Sequence, residues 1–312
     1  MTDKPIIGID VSRNWLDIAI AGGKGAARVS NTSEAIGVWL DAHADAALVA
    51  FEPTGGYERC LRQALESRGI DFERVHPNEL IGFRKASGRK AKTDALDARL
   101  IAEFARNQLL QRPRRPHAPV NPALQALCAR RRQLVDLLQA ERCRHQLADD
   151  AVRASIDTII AALEVALGGI DQQIEDRIQA DPDLLGRSRL LQSFKGVGPI
   201  TAMTLIADLP ELGSCSSKQI ASLVGLAPIT RQSGKANYRA HTGHGRPTVR
   251  RVLFNVARTG ILHNPVLRAF YIRLVEVNHR PGKVALTAVM RKTIVILNAM
   301  AATNSPWSHQ ST

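Results

Sequence analysis

Acidic residues are almost missing from the last third of the chain: from Gly213 to Thr312 only Glu276 is acidic, against fourteen lysines and arginines. A charge-balanced surface is excluded there, and this stretch accounts for the whole formal net charge of +13 carried by 312 residues. The first 212 residues hold 28 basic and 28 acidic side chains and are neutral overall. A field so one-sided attracts polyanions, which points to nucleic acid, with a plain solvated basic face as the alternative. Cysteine is scarce as well. Cys60, Cys128, Cys143 and Cys215 are far apart and form no CxxC pair, so reduced thiols in a cytoplasm fit best. Long apolar runs are also lacking: the opening MTDKPIIGIDVS is interrupted by Asp10 and reads as no signal peptide, and no segment approaches the roughly 18 apolar residues of a membrane span. A soluble protein is expected. The 45% hydrophobic content is ordinary for a globular chain, and the length leaves room for two compact domains and a connector.

What is present begins with strands. Pro5 to Val11 and Trp15 to Ala21 alternate around the polar turn Ser12-Arg13-Asn14, a hairpin pattern, and Ala26 to Ser30 offers a third strand. Helix, strand, helix, strand follow over Glu34 to His43, Ala47 to Phe51, Tyr57 to Ser67 and Phe72 to His76, and a helix from Thr93 to Asn107 closes the series. An antiparallel start followed by βαβ units predicts a mixed sheet with helices on its faces. The Pro-rich, basic segment Gln111 to Pro119 cannot continue a helix and reads as a linker. Beyond it, Leu124, Leu127, Leu134 and Leu138, then Ile156, Ile160, Leu163, Leu167, Ile170 and Ile174, keep heptad-like spacing. Two long helices breaking near residues 149 to 155 would form an antiparallel hairpin, pack on the chain's own helices, or pair between molecules. Farther on, Ser193 to Thr201 with Gly196 and Gly198 precedes a helix reaching Asp208, like a helix-hairpin-helix whose amides can hold a phosphate, or a plain helix-to-helix turn. Helices are expected over Arg246 to His263, Val266 to Asn278 and Val284 to Ala301, making the C-terminal part mostly helical.

Asp10 ends an apolar strand, where aspartate is disfavoured unless its carboxylate has a task, and Glu52 does the same after Ala47 to Phe51. In Lys92-Thr-Asp-Ala-Leu-Asp97, Asp94 and Asp97 lie three apart on one helix and project from one face. Singly, each acid has a plain explanation as a turn former, a solvated strand end or a helix N-terminal charge. Jointly they make a donor set for a hard cation, Mg²⁺ or Mn²⁺, which would polarise a phosphodiester and stabilise its leaving oxygen. An Asp on the first strand, a Glu on the fourth and a D-x-x-D helix is the order of RuvC-like nucleases of RNase H fold. Arg84, Lys85, Arg89, Lys90 and Lys92, just before the D-x-x-D helix, would guide a nucleic-acid backbone or form a solvated loop.

Gly8-Ile-Asp10, Phe51-Glu-Pro-Thr-Gly-Gly-Tyr57, Val75-His-Pro77 and Lys92-Thr-Asp-Ala-Leu-Asp-Ala98 together resemble the DEDD transposases of the IS-one-ten insertion-sequence family. The likeness continues in order through Phe194-Lys-Gly-Val-Gly-Pro199, Gly225-Leu-Ala-Pro228, Ser233-Gly-Lys235 and Val249-Arg-Arg-Val252. It implies three parts: an α/β RNase H-like (RuvC-like) DEDD domain over 1–111, a linker with long coiled-coil helices over 112–190, and a mostly α C-terminal transposase domain over 191–312. It also implies a serine nucleophile, which falls on Ser233, a covalent phosphoserine link as in serine recombinases, and a bridge RNA pairing with donor and target DNA. A homo-oligomer, dimer or tetramer, with composite active sites is expected, in a bacterial, nucleoid-associated cytoplasm. Two departures stand out: His244 lies between glycines in Thr242-Gly-His-Gly-Arg246, and Tyr238 stands where the family commonly has glycine.

From the residues themselves, a serine before glycine is usually a turn, yet Arg231, Lys235 and Arg239 surround Ser233 with the positive charge that attack on phosphate requires. Lys195, Gly196, Gly198, Arg246 and Arg250 complete the expected nucleic-acid contacts. His241 and His244 have no Cys or Asp at ligand spacing and read as loop or phosphate-facing groups rather than a zinc site. Two alternatives stay open beside the recombinase: a hydrolytic RuvC-like junction nuclease, and a nucleic-acid-binding scaffold with an inactive nuclease fold.

Overall fold

The computed structural model describes residues 4–23, 25–88, 93–111, 121–233 and 236–308, with the backbone alone for 230–233 and 236–240. The chain divides into two compact units, Met1–Pro116 and His117–Thr312.

In the first unit, β1 (Ile6–Val11), β2 (Trp15–Ile20), β3 (Ala26–Ser30), β4 (Leu48–Phe51) and β5 (Phe72–Arg74) form one sheet in the order β3-β2-β1-β4-β5. The β1–β2 and β2–β3 pairs are antiparallel, and β1–β4 and β4–β5 are parallel, so the mixed sheet expected from the hairpin-then-βαβ order is what forms. Alternation along the strands divides the core. Ile7, Ile9, Val11, Val49 and Phe51 face α1 (Ser33–Asp41) and α2 (Arg59–Arg68), meeting Ile36, Leu40, Leu61 and Leu65. The opposite face sends Leu48 and Ala50 against α3 (Pro77–Ala86) and α4 (Asp94–Phe104), meeting Leu80, Ile101 and Phe104. Helix α3 is additional to the expected elements, although its signals are present: Pro77 at the first turn, Glu79 behind it, and the His76 ring capping the Asn78 amide. Arg84 and Lys85 therefore sit on a helix rather than a loop, while Arg89, Lys90 and Lys92 lie outside the described residues. Helix α4 continues into a π-helical turn over Ala105–Leu109. Most of the expected linker also lies outside the described residues.

The second unit opens with α5 (Pro122–Leu147) and α6 (Asp150–Ala180), which break at Ala148-Asp149, where Asp149 caps the Ala151 amide. They run antiparallel. Arg131 pairs with Asp171, Arg142 with Glu164 and His145 with Asp157, so one partner number falls as the other rises. Leu124, Leu134 and Leu138 are buried, so part of the heptad-like seam is consumed within the chain. Next come α7 (Pro182–Gln192), α8 (Pro199–Asp208), α9 (Ser217–Leu223), the strands β6 (Ile229–Ser233) and β7 (Ala236–His241), α10 (Pro247–His263), α11 (Pro265–Ile272) and α12 (Gly282–Thr303). The antiparallel β6–β7 pair is also additional to the expected elements: β6 is mostly polar, and the alternation in β7 rests only on Ala236, Tyr238 and Ala240. Helix α12 is, by length and composition, apolar enough to cross a membrane, contrary to the expectation that no segment reaches that length. Its apolar residues Val289, Ile294 and Leu297 are fully buried against Leu205, Ile220 and Leu253, the pattern of a core helix.

Candidate active site

The site is set by one glycine. Gly8 on β1 lies so close under α4 that a β-carbon there would stand 2.2 Å from the Ala102 amide nitrogen and 2.4 Å from the Ala98 carbonyl oxygen. Helix and strand thus touch backbone to backbone, which only glycine permits. Residues two apart on a strand share a face, so Asp10 looks toward the same helix, whose first turn carries Asp94 and Asp97. Thr93 fixes that turn by accepting the Leu96 amide at 3.3 Å.

Register brings the remaining acids alongside. Ile9 pairs with Phe51 on β4, which puts Glu52 beside Asp10 at the strand ends. On the other side Asp10 stands opposite Asp17, and Asp17 opposite Arg28. One face of the sheet therefore reads Arg28, Asp17, Asp10, Glu52, beneath the two helix acids. The electrostatics agree with this placement. The Asp10 carboxyl is pushed up to about 6, first by burial and then by the negative charge of Asp97, Asp94, Glu52 and Asp17.

Asp17 is absent from the acids expected at the site, although it interrupts the apolar Trp-Leu-Asp-Ile-Ala-Ile strand just as Asp10 interrupts its own. It is buried and held by a two-pronged pair from Arg28, at 3.0 Å from Nε and 2.9 Å from Nη2. The same Nη2 donates to Asp94 at 3.2 Å. Arg84, expected to meet a nucleic-acid backbone, donates to Asp97 at 2.5 Å. With these arginines in place, no three His, Cys, Asp or Glu side chains among the described residues stand where one metal ion could be held. In kind, the donors suit a hard dication: all are carboxylates, and Asp10 is raised first by its burial and then by the acids around it.

In the second unit, Ser233 ends β6 opposite Ala236. The side chains of Arg231 and Arg239, and Lys235 altogether, lie outside the described residues. Lys195 is exposed, Gly196 takes a left-handed φ of +113°, and Gly198 caps α8 ahead of Pro199. Arg246 and Arg250 are engaged within the protein. Arg246 makes a two-pronged pair with Glu211, both contacts at 2.5 Å, and Arg250 donates to the carbonyls of Val224, at 2.9 Å, and His244. That second link pins the 243–245 loop over Gly225, where a β-carbon would lie 2.1 Å from the His244 oxygen. His241 and His244 are exposed. Cations the sequence does not single out sit over aromatic rings: Arg258 at 5.9 Å from the half-exposed Phe254, and Arg273 and Lys292 at 5.4 and 5.0 Å from Phe270.

Comparison with known proteins agrees along the chain. Residues 7–149 match the model of the IS110 DEDD domain, described as a transposase, and residues 188–272 match that of the IS116/IS110/IS902 transposase family. A pilin gene-inverting protein of Moraxella bovis is 27% identical over 97% of this chain and 98% of its own length, and one of Moraxella lacunata aligns equally well. An uncharacterized IS110 insertion-element protein of Streptomyces coelicolor is 28% identical over 55% of this chain and 47% of its own. The chain belongs to the IS110/IS116 family and is a DNA transposase or recombinase; its DEDD domain implies an RNase H-like fold for the first unit.

Proposed function

We propose that this IS110/IS116-family transposase cuts and rejoins DNA through a serine, with a divalent cation, Mg²⁺ or Mn²⁺, held by Asp10, Glu52, Asp94 and Asp97. The observation that carries the reading is the gathering of carboxylates on one sheet face beneath the first turn of α4, with Asp10 raised to about 6 by burial and its neighbours. Arg28 and Arg84 pair with Asp17, Asp94 and Asp97, and Asp10 stays raised beside them, a setting that favours a further cation. A bound dication would polarise a non-bridging phosphate oxygen and offset charge on the departing oxygen. The Oγ of Ser233 attacks phosphorus, the Oγ–P bond forms as the P–O bond to deoxyribose breaks, and the proton lost from Oγ to solvent is matched by one that the departing deoxyribose oxygen takes up from water. The phosphoserine keeps the bond energy, so a deoxyribose hydroxyl can reverse the step and join a new strand.

The near-absence of acids beyond Gly213 supports DNA as substrate and a structured RNA as partner. A bridge RNA pairing with donor and target would leave base recognition to base pairing, as the likeness to the insertion-sequence family implies. End-to-end alignment with proteins named for inverting a pilin gene supports inversion, alongside insertion, among the outcomes this chain can produce. The working form is a homo-oligomer in a bacterial cytoplasm.

The test is a cleavage assay on DNA matched to RNA that copurifies with the protein. Wild type should give a covalent protein–DNA product with Mg²⁺, Ser233→Ala none, and Asp10→Asn none. Nicking that persists in Ser233→Ala would make the chain a hydrolytic nuclease instead, and no Mg²⁺-dependent cleavage by wild type would make it a binding scaffold.

A further inference from the structure

Two guanidiniums occupy the carboxylate pocket. Arg28 reaches Asp94 with a nitrogen it already shares with buried Asp17, and Arg84 holds Asp97 at 2.5 Å. Arginine does not deprotonate in proteins, so these pairs compete with any other cation at every ordinary pH. We infer that Arg28 and Arg84 are competing counter-ions of the pocket: Arg28 pairs with Asp94 and Arg84 with Asp97, and a divalent ion enters by taking these two carboxylates from them. The inference rests on the proposal that these acids bind metal.

The two latches are unequal. Asp94 is 66% exposed and shares its donor, so water replaces that contact cheaply. Asp97 is 17% exposed, beside an arginine that is 28% exposed, so its pair is screened less and yields later. Arg28 itself stays in place, because releasing it would strand the buried carboxylate of Asp17. On metal entry the acid moves off Arg28, while Arg84 and Asp97 part altogether. Arg84 is a positioning residue that acts through Asp97.

The experiment is a titration of the full-length protein with Mn²⁺ in the absence of DNA, following free Mn²⁺ by electron paramagnetic resonance. Arg84→Gln, which leaves the Asp17–Arg28 pair intact, should bind Mn²⁺ about fivefold more tightly than wild type. Arg84→Lys should fall back toward wild type because it restores a competing cation. Arg28→Gln should tighten binding too, and its fold is checked by circular dichroism because it unpairs Asp17. Unchanged or weaker Mn²⁺ binding by a folded Arg84→Gln protein, with wild type binding normally, overturns the inference and leaves the metal reading standing. Wild type and Arg84→Gln both failing to bind Mn²⁺, or binding equally well after Asp10→Asn with Asp97→Asn, overturns the metal reading itself.

Discussion

Asp10 and Asp17 stand directly opposite each other on neighbouring antiparallel strands, yet it is Asp17 that has a guanidinium against it. Facing like charges destabilise a strand pair. Arg28 offsets that cost for Asp17, while Asp10 is raised to about 6, first by burial and then by the acids around it, Asp17 last among them.

Stability should report that cost. The folded-state value of Asp10 is about 6 against an ordinary 3.8, so between these limits the unfolded chain ionises first and the carboxylate weakens the fold as pH rises. Below about pH 4 the residue contributes no difference, and above about 6 its penalty is complete. Asp10→Asn should therefore melt with wild type at about pH 4 and above it at about pH 7, by on the order of 1–2 kcal/mol after solvent screening. Equal melting temperatures at neutral pH would show that the carboxylate is not under strain.

Gly8→Ala should disable the first unit. Its methyl would sit inside contact distance of two α4 backbone atoms, a clash that side-chain rotation cannot relieve, at a cost of more than about 3 kcal/mol. Urea denaturation measures it, and a loss under about 1 kcal/mol would mean that α4 can slide without consequence.

Removing Arg246 should cost stability rather than nucleic-acid affinity. Arg246→Ala leaves the partly buried Glu211 without its two-pronged partner, for a loss of about 1–3 kcal/mol that Glu211→Ala should largely reproduce. Should Arg246→Ala keep full stability while shedding DNA affinity, the pair with Glu211 is not what that arginine serves.

Phosphate contacts are expected instead from the ring-mounted cations. Replacing Arg258, Arg273 and Lys292 with glutamine should flatten the dependence of DNA binding on salt, the log–log slope falling by about 0.9 for every phosphate no longer neutralised. An unchanged slope in fluorescence anisotropy would move the binding face elsewhere.

Much of the first unit is readable from period and punctuation. Strands β1, β2 and β4 alternate or run apolar between turn residues, and Asp94 and Asp97 declare a helix start behind Thr93. Asp10 and Glu52 are visible because each breaks or ends an apolar run, Asp94 and Asp97 because they share one face at a helix start, and the sheet order sets Asp10 and Glu52 on neighbouring strands. Asp17 sends the same signal more quietly, because a carboxylate in a hairpin strand reads as its solvent side. Arg28 is invisible at this level, since its role depends on cross-strand register, which sequence period does not give. Arg246 and Arg250 show the opposite difficulty. A basic residue in a basic region reads as a phosphate contact, and only the fold reveals the carboxylate or the two carbonyls that it also meets.

The glycine beneath α4 has a consequence for how far such a chain can diverge. Main chain resting on main chain makes the gap between strand and helix independent of which apolar side chains fill the surrounding space. Residues on either side can be exchanged without changing the reach from Asp10 to the helix acids, so the geometry tolerates wide drift in sequence while a single added methyl group undoes it.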